Sequence, residues 1–87
     1  MQVTLCGKRW TLRRVVLHNN LGECDGPHIR NKEIRVDRRL KNQDELEVFV
    51  HEAMHAIDWK LDEEHVGKAS ADLARMLWKL GYRKTEQ

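Results

Sequence analysis

Val48-Phe49-Val50-His51-Glu52-Ala53-Met54-His55-Ala56-Ile57-Asp58-Trp59 orders the reading of the whole chain. No Gly or Pro interrupts Asn42 to Leu61, and Ala53-Met54 are strong helix formers, so the segment is expected to be helical. At about 100° per residue, Val48, His51, Glu52, His55, Asp58 and Trp59 share one sector. Leu46, Phe49, Val50, Ala53 and Ile57 share the opposite one. The pattern predicts one face for a core and one for chemistry. His51 and His55 stand one helical turn apart, with Glu52 beside them, as His-Glu-x-x-His. Two imidazoles at that spacing can meet one Zn2+ ion, and the carboxylate can handle the proton of an activated water.

Two histidines leave zinc short of a protein ligand, because catalytic sites commonly supply three and keep one position for water. The acids and histidine that follow are Asp58, Asp62, Glu63, Glu64 and His65. Asp62 reads as an N-cap, so a second helix is expected from Glu63 to Leu80, stopped by Gly81. On it Val66, Ala69, Leu73, Met76, Leu77 and Leu80 form a large apolar stripe. Gly67, Ser70 and Ala74 form a stripe of small residues that permits close helix contact. Glu63 continues the small stripe, while Glu64 and His65 point about 100° and 200° away. Periodicity therefore favours Glu63 as third ligand, with Glu64 and His65 as alternatives. Asp58 is the candidate for orienting a ligand imidazole from behind, and Glu52 is the candidate general base. For an oxyanion donor His18, His28, His65 and Tyr82 stay open. Trp59 and Trp78 are expected to close the core.

Upstream, Met1–Leu5, Trp10–Leu17, Gly22–Cys24 and Lys32–Asp37 read as strands within residues 1–37, with turns at Gly7-Lys8 and Asp25-Gly26-Pro27. Asn42 is expected to cap the motif helix, about 42–60, with Glu45 as its capping-box partner. Lys84–Gln87 is expected to fray. The fold class is thus α+β: a small twisted, mainly antiparallel sheet packed on the motif helix plus a C-terminal helix, in a single domain 1–87.

The chain has 87 residues, a size at which one core is only marginally stabilising and a bound metal would help. Its charge is uneven. Residues 1–41 carry ten basic and four acidic residues, and residues 42–87 carry six and ten, which together give the net +2. A basic half raises nucleic acid as a partner, through Lys8, Arg9, Arg13 and Arg14, but it more commonly marks the solvated face of a sheet. No apolar run is long enough for a membrane span, and no signal-peptide core is visible. Cys6 and Cys24 read as reduced thiols in a cytoplasmic setting.

His51-Glu52-Ala53-Met54-His55-Ala56-Ile57-Asp58-Trp59, then Leu61-Asp62-Glu63-Glu64 and a helix ending Leu77-Trp78-Lys79-Leu80-Gly81-Tyr82, resembles the short zincin-like metallopeptidases of phage and bacterial genomes. These are similar to minimal gluzincins and to the metallopeptidase domains of the ImmA/IrrE and SprT-like groups. The resemblance covers about Gly22 to Tyr82. It implies a twisted sheet on the motif helix, zinc held by two His and a downstream Glu, and peptide-bond hydrolysis in the cytoplasm of a bacterial or phage-infected cell. It also implies a peptide or protein substrate added to an exposed sheet edge. In many zincins the third ligand is a His six residues past the second motif His; Leu61 stands there, which excludes that class.

Overall fold

The computed structural model describes residues 1–85. Among them the chain forms strands β1 (Gln2–Leu5), β2 (Lys8–Val15), β3 (Gly22–Cys24) and β4 (Glu33–Asp37), then helices α1 (Asn42–Ile57) and α2 (Glu63–Lys79). The architecture is α+β, a four-stranded mixed sheet in the order β1-β2-β4-β3 with two helices.

β1 and β2 form a hairpin with Leu5 opposite Lys8. Its two turn residues, Cys6 and Gly7, have φ of 47° and 77°. Positive φ at both positions suits the right-handed twist of a hairpin. β4 then inserts between β2 and β3, parallel to β2 and antiparallel to β3. The sheet is therefore mixed but mainly antiparallel, as expected, with two antiparallel pairings and one parallel. The β3–β4 connection is held by Asp25, whose carboxylate accepts the Glu33 amide at 2.9 Å and the Arg35 guanidinium at 2.7 Å. Further back, Asp37 accepts from Arg39, which also donates to the Leu17 carbonyl at 2.6 Å. That pins the loop leading into β3.

The inner face of the sheet supplies Trp10, Ile34 and Val36, all fully buried, and Ala56 of α1 completes the cluster. Val3, Leu5, Leu12, Val48 and Phe49 pack around it. On the outer face Arg13 and Arg35 both pair with Glu33, and Arg35 also with Asp25. Arg13 and Arg35 of the basic N-terminal half are thus paired with acids on this outer face.

The helices depart from the sequence expectations at several points. α1 ends at Ile57, three residues early, and its buried residues are Glu45, Glu52 and Ala56. Ile57, assigned to the core face, is 48% exposed. The cause is that α1 has two neighbours, the sheet and α2, so a single apolar face is not what it presents. Asn42 is not the cap. Lys41 takes that position without a side-chain bond, and Asn42 has φ of 57°. Glu45 is drawn instead to Arg14 and Lys84, each at 2.9 Å. Lys84 is consequently tied down; of the expected frayed tail, 86–87 lie outside the described residues. Finally, α2 packs through Val66, Ser70 and Ala74, leaving Leu73, Met76 and Leu80 of its larger stripe exposed. Trp59 does not close the core either: it is 48% exposed.

Both ends of α2 follow the sequence. The Asp62 carboxylate accepts the His65 amide at 3.0 Å, as an N-cap should. Gly81, at φ of 93°, closes the C-terminus with Tyr82 N–H donating to the Leu77 carbonyl and Gly81 N–H to that of Trp78. No helix of the described residues is long and apolar enough to cross a membrane.

Candidate metal centre

α1 and α2 are joined by the short turn Asp58–Asp62, so the second helix starts beside the last turns of the first. The turn is fixed by Asp58, whose Oδ1 accepts the Lys60 amide at 3.1 Å, and by the Leu61 amide on the Asp58 carbonyl. This brings Glu63 over the two motif histidines. His51 Nε2 lies 2.8 Å from Glu63 Oε1, and His55 Nε2 lies 2.8 Å from Glu63 Oε2. One carboxylate thus spans both imidazoles, whose ring centroids are 5.0 Å apart. The imidazoles are mostly covered, at 24% and 15% exposure, whereas the Glu63 side chain is 73% exposed.

The donor set fits a zinc ion. It offers two imidazole nitrogens and one carboxylate oxygen, all within 4.8 Å of one another. In a tetrahedral zinc site, ligand atoms about 2.1 Å from the ion stand roughly 3.4 Å apart. The exposed side of Glu63 leaves room for a further ligand from solvent.

Glu52 points from the next position of α1 toward β3 and is only 8% exposed. Burial pushes its carboxyl above the ordinary value; Glu63 and Glu23 add to this, and the two imidazoles oppose it. Gly22 makes the burial feasible. A Cβ at that position would lie 2.6 Å from Val48 Cγ1 and 2.9 Å from Glu52 Oε2. Cys24 sits on the same strand, and burial pushes its thiol up to about 12, with Glu52 and Asp25 reinforcing the shift and Arg35 opposing it.

These residues line an open cleft of about 590 Å³, together with Asn20, Glu23, Trp59 and Leu61. Of the other sequence candidates, Glu64 turns outward to pair with Lys68 at 3.1 Å, and His65 is exposed. Asp58 is occupied in the turn and is not bonded to a motif imidazole. His18, His28, His65 and Tyr82 do not line the cleft; the His28 ring covers Gly26 instead. Sequence reasoning missed Asn20 and Gly22, which reach the cleft only through sheet pairing. It also missed Ser70, whose Oγ lies 3.4 Å from His51 Nδ1. Ser70 could have been found, since it shares the helix line of Glu63.

The chain matches no protein-family model, no curated protein and no solved structure with which it was compared.

Proposed function

We propose that this protein is a zinc-dependent metalloendopeptidase, with His51, His55 and Glu63 holding the ion and Glu52 as general base. The observation that supports it most is the convergence of both Nε2 atoms on one carboxylate at 2.8 Å, with a buried carboxylate next in sequence lining the same cleft. A purely structural site has no use for Glu52. Zinc, when bound, supplies Lewis acidity that acidifies water and polarises a carbonyl. Glu52 then accepts the water proton on its carboxylate and returns it to the leaving amine nitrogen.

The substrate we propose is an extended peptide. β3 is an edge strand of the sheet and flanks the cleft through Gly22, Glu23 and Cys24. An added strand there would gain main-chain hydrogen bonds and pass the histidines. Two free thiols, Cys6 and Cys24, suit a reducing cytoplasm.

The test is metal analysis with a peptide-cleavage assay on the wild type and Glu52→Gln. The variant should keep zinc and fold but lose turnover by roughly 10²–10⁴-fold, the usual scale of general-base catalysis. A wild type without zinc, or Glu52→Gln at full turnover, would refute the reading.

A further inference from the structure

The His51 ring has a second nitrogen, directed away from the cleft into the contact between the helices. Nδ1 lies 3.4 Å from Ser70 Oγ. Val66, Ser70 and Ala74 are the fully buried residues of α2, and Ser70 is the polar one among them. Its hydroxyl also lies 3.1 Å from the Gly67 carbonyl oxygen, one turn back. A carbonyl can only accept, so the serine proton goes there. A hydroxyl has one proton to donate and lone pairs left to accept with. With its proton on that carbonyl, the oxygen meets Nδ1 as an acceptor, an arrangement that places hydrogen on Nδ1. A neutral imidazole protonated on Nδ1 offers its lone pair on Nε2. Nε2 is the atom that faces Glu63, 2.8 Å away; without an ion that contact calls for hydrogen on Nε2, so the Nδ1–H tautomer is the one assigned to the metal-loaded site.

We propose that Ser70 is a positioning residue of the metal centre: it accepts the Nδ1–H hydrogen bond of His51 and thereby fixes the ring orientation and tautomer that present Nε2 to the ion. This inference rests on the metal reading above. Glu63 and Ser70 stand seven residues apart, two turns along one line of α2. A single helix face then supplies both the carboxylate in front of His51 and the hydroxyl behind it. A mid-helix serine that merely bonds back to its own helix would have no influence on the imidazole, and that difference makes the role testable.

Zinc affinity is measured by competition with a chromophoric chelator on the full chain, for wild type, Ser70→Ala and Ser70→Thr. Ser70→Ala keeps the packing volume nearly unchanged and removes the acceptor; it should bind zinc about 10- to 100-fold more weakly, the usual effect of losing such a partner. Ser70→Thr restores the hydroxyl and should recover most of the loss. Independently of any variant, proton NMR of the zinc-loaded wild type should show a downfield, slowly exchanging Nδ1–H signal from His51, and Ser70→Ala should lose it. Affinity within twofold of wild type for Ser70→Ala, or no protected Nδ1–H in the wild type, overturns the proposal while leaving the metal reading intact. A wild type that takes up no zinc overturns both.

Discussion

Replacing Gly22 by Ala should damage the fold where β3 meets α1. The added Cβ would stand 2.6 Å from Val48 Cγ1, 2.9 Å from Glu52 Oε2 and 3.0 Å from Glu52 Cγ. Carbon atoms in good contact are about 3.5–4.0 Å apart, so the gap must open by roughly 1 Å. Val48 cannot swing aside, because a β-branched side chain on a helix has essentially one χ1 rotamer. Strand and helix must separate, and overpacking of this kind typically costs about 1–3 kcal/mol. For a domain of this size each kcal/mol lowers Tm by about 4–8 °C, so thermal unfolding should fall by roughly 5–20 °C. Val48→Ala removes the nearest atom. In a double-mutant cycle the cost of Gly22→Ala should be smaller in that background, though not abolished because the Glu52 contacts remain, since residues in contact do not act additively. Urea and thermal unfolding of the four proteins measure this. A Gly22→Ala protein within about 0.5 kcal/mol of wild type, or equal cost in both backgrounds, would refute the close approach as described.

Three further outcomes are expected. Glu63→Ala should weaken zinc binding by at least about tenfold, while Glu64→Ala and His65→Ala change it little, because Glu64 only pairs with exposed Lys68 and His65 faces solvent; a chelator titration with the reverse order would move the third ligand. Hydrogen bonds from Arg39 hold the Asp37 carboxyl well below its ordinary value of 3.8. A carboxyl lowered on folding stabilises the protein above that unfolded-state value, and the contribution disappears as pH falls through the folded one. The stability gap between wild type and Asp37→Asn should therefore narrow below about pH 4 in urea titrations, and a constant gap would contradict the pairing. Cys24, its thiol pushed up to about 12 by burial, stays protonated at pH 8, so a thiol reagent should label exposed Cys6 at least about tenfold faster. Equal rates in the metal-free protein would count against the burial.

Local chemistry explains what could be read beforehand. Asp62 and Gly81 act through bonds within a turn of themselves, and no distant partner displaces them. The proximity of Glu63 to both histidines followed from helical period and from the small residues Gly67, Ser70 and Ala74. What escaped depended on partners distant in sequence. Glu45 has an Asn three residues before it and looks like a capping partner, but Arg14 and Lys84 claim it. Ile57 looks like core until α1 is seen to touch two elements rather than one. The parallel pairing of β2 with β4 leaves no mark on periodicity, since each strand alone alternates as an antiparallel strand would. Asn20 reaches the cleft only after β3 has joined the sheet edge.

The three donors lie within a narrow span of chain, with Glu63 only 12 residues beyond His51. Closing a loop that short costs little chain entropy, and the helical hairpin alone accomplishes it. The placement of Glu52 has a different origin, because it depends on Gly22, a strand residue far upstream in the sequence. The placement of His51, His55 and Glu63 and the placement of Glu52 therefore rest on different contacts, the first within the helical pair and the second between sheet and helix. Along a folding trajectory the first can assemble before the second, since local contacts form ahead of distant ones. Under the function proposed above, holding an ion would depend on the helical pair alone, whereas using it would also depend on how the sheet docks against α1.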